Sequence, residues 1–419
     1  GLEKKEIAGN MAGYKDSGIE YIGQVPKDWE VLRLKNISNI YAAKEYLFGE
    51  WPVEKNGKPY SPFGEWSSGN EVIITGRVGT IGQYEMLEKN PKKKILINDN
   101  RLLIRPFTED YRKKALSHFL FWAMAIVNLN DIITGSAVPL ITATSLLKKR
   151  IVVPPLSEQQ RIADFLDTKC GILDRTIDAV SQQIEDLEKY KKALITKTVT
   201  KGIYKKGEPE RAMKDSGVEW IGEVPEEWDV KRNSLNFDIR KTLVGENWSN
   251  MQLLSLTTNG VKNITIDDQV GKRPKTLATY QIAHKNDIVM CLFDLDASAV
   301  FSGLCKKNGI ISPAYKLLKC KNGMFPPYAE YYFRAVFDGR KYKKYAKSIR
   351  YTISTNDFMH LKMPVPPLAE QQQIADYLDE KCKNINNRVQ KRRQQLEWLK
   401  EYKKSLIFDY VTGKKRVEK

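Results

Sequence analysis

The sequence predicts an α+β protein built twice over, with two globular α+β blocks joined by two long antiparallel helices paired as a coiled coil. Three observations predict it. Two short motifs each occur twice, in the same order. Downstream of each copy of the second motif, apolar residues recur at alternating steps of four and three, the spacing of a helix with one apolar seam. The excess positive charge lies in the two stretches between the motifs and nowhere else.

The first motif, KDSGIEYIGQVPKDWEVLRL at residues 15–34, returns 199 residues later as KDSGVEWIGEVPEEWDVKRN at 214–233, with twelve of twenty positions identical. The second, VPPLSEQQRIADFLDTKC at 153–170, returns 212 residues later as VPPLAEQQQIADYLDEKC at 365–382, with fourteen of eighteen identical. The same offset carries YKKALI at 190–195 onto YKKSLI at 402–407. Repetition on this scale organises the whole chain. The segments are 11–150 (first motif and first block), 151–205 (first helical region), 206–362 (motif and block again) and 363–419 (second helical region).

The elements follow in order. Block one offers an extended run at 71–75, a glycine loop GRVGTIG at 76–82, a second apolar run at 101–105 and an amphipathic helix near 111–127. A polar stretch, GSAVPLIT, then leads to Pro154-Pro155, where proline ends the extended run by disfavouring helix at the residue before it. Ser157 suits an N-cap, with Gln160 three residues on as in a capping box. The seam that follows is Leu173, Ile177, Val180, Ile184, Leu187 and Leu194, with Lys191 in the remaining slot. Its copy is Ile385, Val389, Leu396, Leu399 and Leu406, with Arg392 and Lys403 as the polar members. At ~1.5 Å per residue, a helix over 157–200 is about 65 Å long. Two such helices pack antiparallel along their seams, or else lie as independent surface helices; the duplicated seam favours pairing. Block two repeats the layout in a different sequence, with strands at 287–293 and 313–320, a helix near 328–345 and a closing loop SIRYTIST.

A chain of 419 residues with 42% apolar content is long enough for two or three domains with their own cores. It lacks the ~18 consecutive apolar residues of a membrane span. The first thirty residues lack an apolar signal core, so a cytoplasmic location is expected. Residues 1–10 precede Met11 and resemble an appended stretch without structural weight. Five cysteines without close pairs fit a reducing compartment. The net charge of +18 divides unevenly: residues 31–150 hold 18 Lys/Arg against 11 Asp/Glu, and residues 231–362 hold 22 against 10. The remainder is near neutral. Two basic blocks attract phosphate backbones, although an anionic membrane or an acidic protein answers to the same field.

Several chemistries have no support. There is no phosphate-binding loop for ATP hydrolysis. His118, His284 and His360 stand far apart and at ligand spacing from no cysteine, so no metal site is expected. Cys170 and Cys382 occupy equivalent places in the helix repeats and read as small buried residues. The tetrapeptide at 325–328, Phe-Pro-Pro-Tyr, has the outline of a base-gripping methyltransferase loop, but phenylalanine accepts no hydrogen bond from an exocyclic amine. A proline pair opening a helix explains it better. The loop at 76–82 has the wrong glycine spacing for a dinucleotide fingerprint. It serves equally as a structural turn or as a DNA-phosphate loop carrying Arg77.

Both duplicated motifs, in this order, resemble the repeated hallmarks of the specificity subunits of type I restriction–modification systems, and the resemblance covers essentially everything from Met11 onward. It implies two target-recognition domains related by pseudo-two-fold symmetry, each reading one half of a split, asymmetric DNA site. It implies a non-catalytic chain without a cofactor of its own. Two methyltransferase subunits would carry S-adenosylmethionine and methylate adenine N6, and restriction subunits would use ATP and Mg. The candidate DNA contacts are Lys58, Tyr60, Arg77, Arg101 and Ser136 in block one, and Lys272, Arg273, Lys275, Arg350 and Tyr351 in block two. The run Lys92-Lys93-Lys94 suits a solvated turn or a phosphate contact. The rival readings are a stand-alone DNA enzyme, for which no catalytic loop is visible, and a basic coiled-coil adaptor that binds nucleic acid without base preference.

Overall fold

The computed structural model describes residues 13–42, 72–75, 83–86, 101–107, 116–135, 139–204, 207, 209–258, 260–265, 276–295, 301–346 and 351–418. Among them, four helices are two turns or longer: α1 (Ser117–Met124), α2 (Leu156–Lys201), α3 (Pro326–Asp338) and α4 (Leu368–Val411). The chain divides into two compact units, Gly1–Val180 with Gln394–Lys419, and Ser181–Arg393. The division falls inside both long helices. Each unit therefore combines one block with a stretch of α2 and a stretch of α4, where the sequence segments set blocks and helices apart.

In unit one, the KDSG motif folds as a hairpin of β1 (Tyr14–Asp16) and β2 (Gln24–Pro26), Tyr14 facing Pro26. The turn is local chemistry: Asp16 Oδ1 accepts the Gly18 amide at 2.9 Å, Ser17 Oγ accepts the Ile19 amide at 3.1 Å, and Gly18 sits at φ 65°. Next, β3 (Glu30–Arg33) pairs antiparallel with β8 (Arg150–Val153), so the two ends of the block meet. Between them, β4 (Ser38–Ala42), β5 (Val72–Thr75), β6 (Tyr84–Met86) and β7 (Arg101–Pro106) form an antiparallel sheet of order β4-β7-β5-β6. Val72 and Ile74, like Leu102 and Ile104, point inward at the strand period of two. They pack with Phe119 and Leu120 of α1 and with Trp29. The same core takes Ile162, Leu166 and Cys170 from α2, and Leu406, Ile407 and Val411 from α4.

Unit two repeats this register for register. A hairpin of β9 (Met213–Asp215) and β10 (Glu223–Pro225) sets Met213 against Pro225, and β11 (Asp229–Arg232) pairs with β20 (Lys362–Val365). The equivalent sheet is β12 (Phe237–Arg240), β16 (Ile288–Met290), β17 (Ser302–Leu304) and β19 (Lys316–Cys320), in the order β12-β19-β16-β17. A second sheet, β14-β13-β18-β15, adds β13 (Leu253–Thr257), β14 (Gly260–Ile264), β15 (Gln281–Ala283) and β18 (Gly309–Ile311). Nothing in the sequence reading anticipates that sheet. Its strands are three to five residues long, and those of β15 and β18 are too short to register a period.

The long helices run antiparallel inside each unit. In unit one, Phe165 packs on Tyr410 with centroids 4.4 Å apart, and Asp174 meets Lys403. In unit two, Glu188 meets Arg393 at 2.7 Å and Lys191 meets Asn386 at 2.9 Å. Of the seam, Val180, Ile385, Val389, Leu399 and Leu406 are buried, while Leu173, Ile177, Ile184, Leu187, Leu194 and Leu396 are half-buried; Arg392 is exposed.

Two expectations need correction. Ser157 does not cap α2: the helix begins at Leu156, the Pro155 carbonyl accepts the Glu158 and Gln159 amides at 2.9 Å, and Gln160 Nε2 reaches forward to Asp164. The proline pair already sets the turn, which shifts the cap off the serine. The helix expected over 328–345 ends at Asp338, because Gly339 and Arg340 (φ 50°) break it before a 3-10 turn at Lys341–Lys344. In block one, the described helix starts at Ser117, and the expected start at 111 lies outside the described residues.

Candidate nucleic-acid interface and its anchoring

Most of the candidate DNA contacts, namely Lys58, Tyr60, Arg77, Ser136, Lys272, Arg273, Lys275 and Arg350, lie outside the described residues, as do the loop at 76–82 and Lys92–94. Arg101 opens β7 with its backbone opposite Thr75. Tyr351 is half-buried at φ 48°, its carbonyl accepting the Leu295 amide, its ring 4.6 Å from Lys343 Nζ. That ring packs against the unit-two core. Elsewhere in block two, Lys262, Lys306, Lys307 and Lys319 are exposed and open to phosphate.

Each block is seated on the frame by residues of the two duplicated motifs. Trp29 and Trp228 are fully buried, and each donates its indole N–H to a carboxylate of the helix motif: Trp29 to Glu158 at 3.0 Å, Trp228 to Glu370 at 2.9 Å. The next residue, a buried glutamine, ties the block's helix to the frame. Gln159 Oε1 accepts the Leu116 amide at the start of α1 at 2.9 Å, and its Nε2 donates to the Pro154 carbonyl. Gln371 Oε1 accepts the Phe325 amide at the start of α3 at 2.8 Å, and its Nε2 donates to the Gly323 and Pro366 carbonyls. Neither α1 nor α3 has a side-chain cap of its own, so the glutamine satisfies the orphan donor from outside.

Two turns along, Asp167 accepts from Trp122 Nε1 at 2.8 Å and faces His118 at 3.0 Å, while Asp379 accepts from the Tyr331 hydroxyl at 2.6 Å. The outline of Phe-Pro-Pro-Tyr is a helix start: Phe325 is the N-cap, and the buried Tyr328 hydroxyl donates to the Pro364 carbonyl at 2.9 Å. Cys170 and Cys382 are both buried, and burial pushes the Cys170 thiol up to about 11. Arg211 closes the unit-two network, bridging Glu370 and Glu227; its hydrogen bonds to Glu370 hold its guanidinium above its ordinary value.

The signal that marks these residues is their identity in both copies. Trp, Glu, Gln and Asp persist where the blocks between them do not; Trp, Glu and Gln keep the same partner type in both units, while Asp takes Trp122 and His118 in one and Tyr331 in the other. Among the described residues, no cluster of His, Cys, Asp and Glu has the makings of a metal site, and no helix is long and apolar enough to cross a membrane.

The comparisons with known proteins agree with this duplicated seating. The family model described as "Type I restriction modification DNA specificity domain" matches residues 26–189 and again 257–397. The type I restriction enzyme MjaVIII specificity subunit of Methanocaldococcus jannaschii is 24% identical, over 97% of this chain and 98% of its own length. The putative type I restriction enzyme MjaX specificity subunit of the same organism is also 24% identical, over 95% and 96%. A solved chain from work on complex assembly and conformational transition of the type I R-M system shares the fold, with a TM-score of 0.63 at 14% identity over 93% of this chain and 99% of that one. With two matched stretches covering well over half of its length, one holding Trp29, Glu158 and Gln159 and the other Glu370 and Gln371, the chain belongs to the type I restriction modification DNA specificity family.

Proposed function

We propose that the chain reads a split, asymmetric DNA site for a type I restriction–modification complex, one recognition block per half-site, and supplies no catalysis itself. The observation that carries this reading is the seating of two different blocks by one set of contacts, Trp29–Glu158 with Gln159 in one unit and Trp228–Glu370 with Gln371 in the other. A constant seat under variable blocks is what a reader of two unlike half-sites requires. The block surfaces carry the basic excess, which supports phosphate contact and positioning.

In this reading α2 and α4 pair antiparallel as a coiled coil whose length fixes the gap between half-sites. The repeated frame presents one docking surface twice and so suits two copies of one methyltransferase subunit. S-adenosylmethionine belongs to that partner, and ATP with Mg to the restriction subunits. The ten candidate contacts, Lys58 to Ser136 and Lys272 to Tyr351, are the proposed basis of base and phosphate readout.

The test is a genome-wide map of N6-methyladenine in the source organism with and without this gene. Loss of one split, asymmetric motif supports the reading and gives the recognition sequence. An unchanged map, followed by reconstitution with the partner subunit that also yields no sequence-specific methylation, overturns it. In that case salt-sensitive binding without base preference identifies a general nucleic-acid adaptor instead.

A further inference from the structure

Two arginines outside both duplicated motifs occupy the same place in the two units. In unit two, Arg211 donates to both Glu370 oxygens, at 2.6 and 2.8 Å, and also bonds Glu227. In unit one, Arg416 donates to Asp28 at 2.5 Å and lies 3.7 Å from Glu158. Asp28 and Glu227 are 199 residues apart, and Glu158 and Glu370 are 212 apart, so the two acid pairs are the repeat images of one another. The arginines are not. Their separation is 205, and each arrives by its own length of chain, nine residues after Gly202 in one case and three after Gly413 in the other.

Both glycines end their long helix in the left-handed region, at φ 81° and 71°. Both lie against the seat: a Cβ on Gly413 would collide with Pro26 at 2.6 Å and crowd Trp29 at 3.0 Å, while one on Gly202 would meet the Arg211 guanidinium at 2.8 Å and the Glu370 carboxylate at 3.1 Å, with Trp228 at van der Waals distance. In unit one the Tyr14 hydroxyl also donates to the Gly413 carbonyl at 3.0 Å. The physical need is the same in both units. Glu158 and Glu370 sit at the seat beneath a buried tryptophan, and Glu158 is only 6% exposed. A buried carboxylate with an indole as its sole donor is poorly compensated, and a guanidinium that also reaches a neighbouring acid supplies the missing charge.

We propose that Arg416 is a positioning residue, a latch that closes the C-terminal segment on the first KDSG hairpin and holds the first recognition block to the frame as Arg211 holds the second. The part concerning recognition rests on the proposed function; the latch does not. Because each arginine serves its own unit, loss of one loosens one block and leaves the other as it was.

The experiment is amide hydrogen exchange on the full chain, comparing the hairpin at 14–26 with the hairpin at 213–225. Arg416→Ala is expected to speed exchange at 14–26 about fivefold, in line with a salt bridge at the upper end of the exposed range, and to leave 213–225 unchanged. Arg211→Ala is expected to do the reverse. Arg416→Lys, which keeps the charge beside Asp28 and Glu158, is expected to keep most of the protection at 14–26, whereas Arg416→Met, which keeps much of the bulk without the charge, is expected to lose it. Unchanged exchange at 14–26 in Arg416→Ala, acceleration in both hairpins, or equal exchange in Arg416→Lys and Arg416→Met overturns the latch. With the methyltransferase partner present, Arg416→Ala is expected to relax base preference in one half of the methylated motif only. If the wild type methylates no split motif, the function reading fails, while the exchange result still decides the latch.

Discussion

Lys403 donates to both carboxylate oxygens of Asp174, at 2.6 and 2.7 Å, and the residues one repeat away, Lys191 and Asn386, make the corresponding bond at 2.9 Å. The lysine slot in the apolar seam is thus filled in both units, but its partner is charged in one and neutral in the other.

That difference sets the first prediction. Burial, followed by the nearby Arg334, holds the Lys191 ammonium below its ordinary value, so its charge is a cost to the fold. Lys191→Met should be neutral or stabilising by about 0.5–1 kcal/mol, whereas Lys403→Met strands Asp174 and should destabilise by about as much. The sign with pH follows. Below pH 10.5 the unfolded chain holds the Lys191 proton more tightly than the native state does, so this residue's contribution improves as pH rises through the native value toward 10.5. Urea unfolding of both variants checks the ranking, and a Lys191→Met less stable than Lys403→Met contradicts it.

Gln371 carries the second. Its side chain is fully buried and serves three backbone groups, while its neighbour Gln372 is exposed. Gln371→Ala leaves the Phe325 amide and two carbonyls without partners, a loss of about 2–4 kcal/mol, and Gln372→Ala should stay within about 0.5 kcal/mol of wild type. Chemical denaturation separates the two. Equal effects would show that the helix start of α3 is satisfied some other way.

These glutamines also show what the sequence made legible. Repetition exposed the frame, because a seat that must hold two blocks keeps its residues twice. Trp29, Glu158 and Gln159 were visible as motif letters for that reason. Their roles were not, since the partner of Glu158 lies 129 residues away and the partner of Gln159 is a backbone amide, which leaves no residue-type signal. The second sheet of unit two escaped because its strands are short and lack a clear period. Arg416 escaped because it follows neither repeat offset; only the geometry pairs it with Arg211.

Glu330 on α3 gives a pH prediction. Its Oε2 is sealed from solvent and has no partner among the described residues. Burial pushes the carboxyl up to about 8, against smaller opposing effects of Ser302 and Arg334. Between pH 4.5 and about 8 the native state therefore binds the proton that the unfolded chain has released, and stability falls as pH rises through that window. The slope is at most about 1.4 kcal/mol per pH unit from this group. Glu330→Gln, neutral throughout, should flatten the decline and be more stable than wild type at pH 8. Thermal melts across pH 5–8 that show the same slope for both chains would exclude Glu330 as its source.

The last prediction concerns exchange of a whole block. The seat reads backbone where it meets the block: Gln159 takes the main-chain amide of Leu116, and Gln371 that of Phe325, so the side chains at those positions differ without loss of the bond. The strand pair that closes the block, β3 with β8, lies at its ends and is likewise joined through backbone. A foreign block that starts a helix at the same place should therefore sit as the native one does. Replacing residues 35–150 with the matching block of a relative is expected to change one half of the methylated motif and to leave the other half and the gap between them intact. Keeping Gln159 matters to the outcome: the same exchange made with Gln159→Ala should lose sequence-specific methylation at the new half-site first, because the incoming helix then has no acceptor at its start. A methylation map in which both halves change, or neither does, would show that the blocks are not read independently, and would assign the specificity to the frame instead.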